Sequence, residues 1–147
     1  MNHSGALGNP LSIKNLMEEG LDRNKVRRAS DRVWETLGAQ AATQLKPLMG
    51  DKISLEELRQ AGQIAEEIHG MQVKRSIAGQ ELTTEFTGCP WHDAMQAHDM
   101  PEDWRICASG HSAFVQSMYS GLDPKATYVL KEDMPGGARI CKGVAKL

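Results

Sequence analysis

Residues 71–87, MQVKRSIAGQELTTEFT, decide the fold, because the spacing of the core-forming side chains changes there. Within this stretch one set of side chains recurs at every second position: Val73, Arg75 and Ile77, then Leu82, Thr84 and Phe86. Alternation of this kind is typical of strands, and the intervening AGQE is turn material. A continued helix is the alternative, since Gln, Lys and Arg all tolerate one, but TTEFT is a poor helix sequence. The stretch therefore predicts a β-hairpin.

The chain before the hairpin has the spacing of helices. Residues 1–10 are predicted to be a flexible lead-in to a short helix over residues 11–19. From Asp22, which can cap a helix, one apolar stripe predicts a long amphipathic helix that Pro47 ends or bends: Val26, Ala29, Val33, Leu37, Ala41, Leu45 and Leu48. A capping box, Ser54 with Glu57, opens the next helix, whose predicted buried stripe is Leu58, Ala61, Ala65 and Ile68.

The chain after the hairpin predicts two helices and a second strand pair. The helices are expected over residues 91–98 and 103–119, and the strands over residues 126–132 and 138–145. The turn-forming sequence DMPGG joins these two strands. We therefore predict an α+β fold, in which N-terminal helices pack with a four-stranded antiparallel sheet and two helices lie between the two hairpins. Residues 1–147 are expected to form a single domain.

Composition restricts the class of protein. The formal net charge is -2 and the chain has no basic patch or helix-turn-helix pattern, so we expect neither nucleic acid nor anionic membrane as a partner. No apolar run approaches the roughly 20 residues that span a bilayer, and the N-terminus does not resemble a secretory signal. Three cysteines, an odd number, then favour reduced thiols in the cytoplasm. Assembly into a homo-oligomer stays open.

Most of the reactive side chains lie in residues 88–111, GCPWHDAMQAHDMPEDWRICASGH. This segment holds two of the three cysteines, three of the five histidines and two of the three tryptophans. Cys89 is placed where a strand ends and a helix begins, and the positive end of a helix dipole lowers the pKa of a thiol. We therefore expect Cys89 to be the most thiolate-like cysteine. A small buried hydrophobic residue is the alternative, since free cysteine is often buried.

Two pairs of sulfur and nitrogen atoms in this segment could bind a metal. His92 follows Cys89 by one helical turn, and His111 follows Cys107 by four residues on the next predicted helix. If the pairs converge, they offer the tetrahedral ligand set that a divalent metal such as zinc prefers. A zinc cofactor is therefore one hypothesis, although the mixed Cys and His spacing differs from the usual structural zinc motifs.

The third cysteine lies in the last predicted strand. Cys141 has the opposite parity to Ile140 and Val144, so it shares a strand face with Arg139. If that face lies under the helices, all three sulfurs meet, and we therefore predict that Cys89, Cys107 and Cys141 lie close together in space. Burial for packing alone is the alternative. By the predicted bounds, Cys107 is in mid-helix and Cys141 in mid-strand.

One further motif has the spacing of a metal-binding helix. Glu66 and His69 form Glu-x-x-His, by which bundle helices present ligands to di-iron centres. No second copy is present in the sequence, so we predict that Glu66 belongs to a solvated face and that His69 is a helix-end residue.

The order of motifs in residues 70–147 resembles the L-2-amino-thiazoline-4-carboxylic acid hydrolase family. The residues that carry the resemblance are Cys89-Pro90, Met100-Pro101, Trp104, Cys107 and Gly136-Gly137 through Cys141. The same plan of strand, Cys-Pro, helix and hairpin also resembles the 4-vinyl reductase type of small-molecule-binding domain. Where the hydrolase pattern has an acidic residue after the second cysteine, this chain has His111.

The first resemblance implies hydrolysis of a C–N bond in a small cyclic amidine-like substrate. A thiolate of Cys89 or Cys107 would attack the ring carbon, and His92 or His111 would move protons. A metal-bound hydroxide is the alternative nucleophile. The catalytic candidates are Cys89, Cys107, His111 and Cys141, and the candidate substrate contacts are Trp91, Trp104, Arg105 and Arg139.

The second resemblance implies a binding module without catalysis. Trp91, Trp104, Phe114 and Tyr119 would then surround a pocket for a small molecule. A third interpretation, in which the cysteines serve packing alone, makes no prediction about a ligand.

Overall fold

The computed structural model describes the backbone of residues 4–147 and the side chains of residues 10–147. The helices are α1 (Ser4–Glu18), α2 (Arg23–Met49), α3 (Leu55–Ile68), α4 (Pro90–Ala97) and α5 (Cys107–Leu122), with a short 3-10 turn at Glu102–Trp104. The strands are β1 (Gln72–Ala78), β2 (Glu81–Gly88), β3 (Thr127–Glu132) and β4 (Cys141–Lys146). The predicted α+β class is confirmed.

The four strands form one antiparallel sheet in the order β1-β2-β4-β3. The two predicted hairpins meet at its centre, where Leu82 pairs with Ala145 and Phe86 with Cys141. These side chains point towards the helices, and Leu82, Phe86 and Ala145 are at most 2% exposed. The opposite face carries exposed ion pairs between β2 and β4, including Glu85 with Lys142. The sheet therefore has one face covered by helices and one face in solvent.

Helix α1 begins earlier than the sequence predicts. The expected start at Leu11 is wrong, because the helix already runs from Ser4 and contains Pro10. A proline inside a helix removes a backbone hydrogen bond, and the burial of Pro10 offsets this loss. Residues 1–3 of the predicted lead-in lie outside the described residues. After α1 the chain turns at Gly20, which has a positive φ of 79°.

Helix α2 buries a stripe that shares only Val26 and Leu45 with the predicted one. The buried residues are Val26, Gly38, Ala42, Leu45 and Met49. Val33, Leu37 and Leu48, which were expected in the core, are 56%, 41% and 69% exposed. The cause is the close approach of α5, since a Cβ atom at Gly38 would lie 2.3 Å from the carbonyl oxygen of Phe114. Gly38 and Ala42 therefore face the core where α5 comes close, and the helix continues through Pro47 to Met49.

Helix α3 begins with the predicted capping box of Ser54 and Glu57. Leu58, Ala61 and Ala65 are buried as expected, but Ile68 is 69% exposed. Glu66 is 2% exposed, so the prediction that it belongs to a solvated face is wrong. The reason is the ion pair between Glu66 and Arg75 of β1, which lies between this face of the helix and the sheet.

The bounds of α5 and β4 change the placement of two cysteines. Helix α5 begins at Cys107 rather than at residue 103, because residues 102–104 form a separate 3-10 turn after Pro101. Strand β4 begins at Cys141 rather than at residue 138, because residues 133–137 form a wider turn than a tight hairpin requires. Cys107 and Cys141 therefore lie at the starts of their elements, not in their middles.

The apolar side chains form two hydrophobic clusters. The first lies between α2, α3, α5 and the sheet and contains Leu58, Leu82, Met118 and Tyr119. The second lies between α1, the start of α2, α4 and the loop after α4: Ile13, Met17, Val26, Trp91, Met95, Met100 and Ile106. Trp34 packs against both clusters. Within residues 4–147, no helix is long and apolar enough to cross a membrane.

Candidate functional site

A cavity of about 70 Å³ lies where the two hydrophobic clusters meet. Its walls are mainly apolar and aromatic, from Ile13, Trp34, Met71, Phe86, Trp91, Ala108, Phe114 and Leu130. Its polar lining consists of Ser30, Glu66, His69, His111 and the three cysteines. Among the described residues that line it, none is Lys or Arg. The cavity is thus an apolar space with a few polar groups in its wall.

The three cysteines line this one cavity, which confirms the prediction that they lie close together. Cys89 is the N-cap of α4, Cys107 is the first residue of α5, and Cys141 is the first residue of β4. The three sulfurs thus come from the starts of three different elements and line the same cavity. All three thiols are free, and the sulfur of Cys141 accepts a hydrogen bond of 3.2 Å from the backbone N–H of Met134.

Burial keeps these sulfurs protonated. It raises the pKa of Cys89, although the backbone N–H groups of His92 and Trp91 at the start of α4 lower it. It raises the pKa of Cys141 to about 11 and that of Cys107 well above its usual range. The expectation of a lowered pKa at Cys89 is therefore wrong, because desolvation of the charged form outweighs the helix N-terminus. Cys89 is still the cysteine whose pKa is raised least of the three. At neutral pH the cavity presents three uncharged thiols.

His111 is half-buried in the wall of the cavity. Its Nε2 is 2.9 Å from the hydroxyl oxygen of Tyr128, and its ring meets Phe86 edge-on with the ring centres 4.6 Å apart. Burial lowers the pKa of His111 to about 4 and raises that of Tyr128. The pair is thus uncharged at neutral pH. The absence of a side chain at Gly143 leaves room for the ring of Tyr128, since a Cβ atom at Gly143 would lie 2.1 Å from the hydroxyl oxygen of Tyr128.

Helix α3 and its C-cap contribute two polar residues that the sequence did not assign to a site: Glu66, which was predicted to be solvated, and His69, which is the helix-end residue that was predicted. Glu66 and His69 are three residues apart, so they share a helix face, and both line the cavity. The ring of His69 lies 5.5 Å from that of Trp91, and burial lowers the pKa of His69. The Glu-x-x-His spacing was the signal that could have found them.

Two tryptophans form the aromatic wall. Trp91 was a predicted contact; its ring meets Trp34 at 5.8 Å in an edge-on arrangement. The Nε1–H of Trp91 is buried and has no hydrogen-bond partner among the described residues. Trp34 was missed, yet it stands at the head of the observed stripe of α2, four residues before Gly38 and eight before Ala42. A predicted stripe that included the small residues Gly38 and Ala42 would also have included Trp34.

The structure does not bring every predicted site residue to the cavity. His92, Trp104, Arg105 and Arg139 do not line it. Arg105 donates from its Nε to the carbonyl oxygen of Met100 at 2.9 Å, and Arg139 is exposed. Of the aromatic residues expected around a pocket, Trp91 and Phe114 line the cavity, whereas Tyr119 is in the core.

The expected zinc ligands do not converge. Cys89, Cys107 and His111 reach the cavity, but His92 does not. In the described part of the chain, no three or more Cys, His, Asp and Glu side chains are grouped closely enough to hold a metal ion. Since His111 is also engaged with Tyr128, this ligand set gains no support from the geometry.

Comparisons with known proteins give likeness in fold. No protein-family model matches the chain, and neither does any curated protein sequence. A solved structure of the phenol-responsive sensory domain of the transcription activator PoxR, with phenol, is 17% identical with a TM-score of 0.70. That match covers 96% of this chain and 73% of that one.

A trafficking protein particle complex subunit 3 from Naegleria fowleri, covalently bound to palmitic acid, is 11% identical with a TM-score of 0.50. This second match covers 97% of this chain and 95% of the subunit. The chain thus shares its fold with these two proteins, and the resemblance to the hydrolase family gains no support.

Proposed function

We propose that this protein is a small-molecule-binding module whose ligand occupies the cavity between the two hydrophobic clusters. The observation that carries the proposal is the composition of the cavity wall: aromatic and aliphatic side chains with a few polar groups, set between packed helices and a sheet. Sites for small organic molecules have this composition. The fold shared with the phenol-responsive domain of PoxR supports the same class of function.

The lining favours an uncharged ligand. It contains no Lys or Arg among the described residues, and burial keeps the three thiols and His111 neutral at neutral pH. A carboxylate would enter this space without a cation to pair with, at a large desolvation cost. For the same reason the cavity is a poor site for a carboxylated thiazoline, and protonated thiols are poor nucleophiles.

The volume limits the ligand to about one aromatic ring. The cavity measures about 70 Å³, whereas an engineered cavity of about 150 Å³ accepts benzene in another protein. A single ring therefore requires some movement of the wall. Met71, which is half-buried, has the flexible side chain to provide it.

Trp91 offers the ligand a hydrogen bond. Its indole N–H is buried without a partner, and such a group costs about 1–3 kcal/mol. A ligand oxygen that accepts this hydrogen bond recovers part of that energy. Phenol, the molecule bound in the PoxR domain, combines one ring with one hydroxyl group and is therefore a suitable probe.

The test is calorimetric titration of the purified protein with phenol, together with the shift in melting temperature. We expect saturable binding, and we expect Trp91→Phe to weaken it about three- to tenfold, the effect of one neutral hydrogen bond. Trp104→Phe is the matched control, since Trp104 does not line the cavity, and it should bind as the wild type does. Absence of binding by small uncharged aromatics, or turnover of a thiazoline carboxylate, would contradict the proposal.

A further inference from the structure

An ion pair is buried beside the cavity. Glu66 of α3 and Arg75 of β1 pair with each other, and their side chains are 3% and 6% exposed. A buried ion pair contributes little stability compared with apolar side chains of the same volume. Its presence next to an apolar cavity therefore calls for a role other than stability.

Gly62 allows the two elements to come close enough for this pair. It lies one helical turn before Glu66 on the same face of α3. A Cβ atom at Gly62 would lie 2.7 Å from the hydroxyl oxygen of Tyr119 and 3.4 Å from Nε of Arg75. The helix backbone thus rests directly on Tyr119 and Arg75, and the carboxylate of Glu66 is held where the next turn meets the sheet.

The pair has a defined orientation towards the cavity. Glu66 lines the cavity and Arg75 does not, so Glu66 is the member of the pair that a ligand in the cavity can contact. The guanidinium group of Arg75 balances the negative charge of Glu66. The cavity wall therefore presents a fixed hydrogen-bond acceptor without net charge.

We propose that Glu66, positioned by Arg75, is the specificity-determining residue of the cavity and selects uncharged ligands that carry an O–H or N–H donor. This inference rests on the proposed function and names the ligand class that the function leaves open. A donor on the ligand bonds to the carboxylate, and hydrogen bonds to ionised groups are roughly twice as strong as neutral ones. A ligand without a donor covers the carboxylate, which keeps its ion pair with Arg75 but gains no hydrogen bond from the ligand.

Discrimination then follows from the lost hydrogen bond. Sites built to bond a hydroxyl or N–H group reject analogues that lack it more strongly than they reject a change of one methyl group. Anions are rejected as well, because they meet the carboxylate at close range in an apolar space.

The experiment compares aniline, phenol and toluene, which have similar size and differ in the donor. By calorimetry we expect aniline and phenol to bind the wild-type protein at least tenfold more tightly than toluene. The double variant Glu66→Met/Arg75→Met replaces the ion pair by apolar side chains and leaves no buried charge unpaired. In this variant the preference for aniline over toluene should disappear.

The matched control is Glu67→Met/Lys74→Met, which changes exposed residues of the same helix and strand. It should keep the wild-type preference. A wild-type protein that binds toluene as tightly as aniline, or a double variant that keeps the preference, overturns this inference and leaves the proposed function standing. Failure of all three molecules to bind overturns both. Since the wild-type comparison is decisive by itself, the test does not depend on the folding of the double variant.

Discussion

At Cys89, two effects act on the same sulfur in opposite directions. The backbone N–H groups at the start of α4 favour the thiolate, and burial favours the thiol. Burial prevails because the sulfur faces an apolar cavity rather than water. The same balance holds at Cys107, which also begins a helix and whose pKa burial raises. A position at a helix start is therefore not enough to predict a reactive thiol.

This balance predicts slow alkylation of all three cysteines near neutral pH. The thiolate is the reactive form, and a pKa of about 11 at Cys141 and a higher one at Cys107 leave very little of it. We expect Cys107 to react most slowly and the rates to rise as the pH is raised. Peptide mapping after treatment with iodoacetamide measures each site, and unfolding in urea should make the three rates similar. Rapid labelling of Cys89 in the folded protein would contradict this expectation.

His111 makes the stability depend on pH. Burial lowers its pKa from 6.5 to about 4, so between these pH values the unfolded chain binds a proton that the folded chain does not. The contribution of His111 to stability should therefore be constant above about pH 6.5 and should fall by about 2–3 kcal/mol at most as the pH is lowered to about 4. Burial also lowers the pKa of His69 and of His92, which adds to the same trend.

Urea unfolding across this pH range measures the effect. His111→Gln can still form a hydrogen bond with Tyr128 but has no proton to gain, so its stability should fall less steeply with decreasing pH. His98→Gln, which leaves the cavity intact, should follow the wild type. Equal slopes for His111→Gln and the wild-type protein would show that His111 does not carry the dependence.

At the scale of the elements, contact between α2 and α5 decides which face of α2 is buried. Gly38, Gly110 and Gly121 lie where the two helices approach one another most closely. A Cβ at Gly121 would be 2.6 Å from Cβ of Ala42, and one at Gly110 would be 2.5 Å from the ring of Trp34. The absence of side chains at these glycines thus sets the distance between the helices, and larger apolar residues such as Leu37 are left outside.

This arrangement predicts opposite effects for neighbouring substitutions. Gly38→Ala would gain about 1 kcal/mol of helix propensity at a position without neighbours. Here its Cβ collides with the backbone of Phe114, so we expect a net loss of about 1–3 kcal/mol in the free energy of unfolding. Leu37→Ala, on the exposed face, should change stability by less than about 1 kcal/mol. Urea denaturation of the two variants decides between the observed stripe and the predicted one.

The elements that the sequence predicted best are those specified by local patterns. The hairpin of β1 and β2 and the capping box of Ser54 and Glu57 depend on neighbouring residues in the chain, and both are present. The buried stripe of α2 depends on α5, which the periodicity of α2 does not contain. The start of α5 depends on the 3-10 turn after Pro101, which resembles the first turn of a longer helix.

At the scale of the whole molecule, the site is formed where three regions of the chain meet in the fold. Strand parity predicted that Cys141 would meet Cys89 and Cys107 if its face of the strand lay under the helices, and the three do line one cavity. Glu66, His69 and Trp34 were not predicted to be there, because their burial depends on tertiary partners, such as Arg75 for Glu66. A polar residue in a helix is normally solvated, and the ion partner lies on another element.

The central pairing of the sheet has a kinetic consequence. Phe86 and Cys141 are partners across β2 and β4, both line the cavity, and they belong to hairpins separated by α4 and α5. Each hairpin can form from its own residues, whereas joining them requires the closure of a long intervening loop, which slows folding. The cavity is therefore complete after the two halves have docked, and an occupant should lengthen the lifetime of the native state without accelerating its formation.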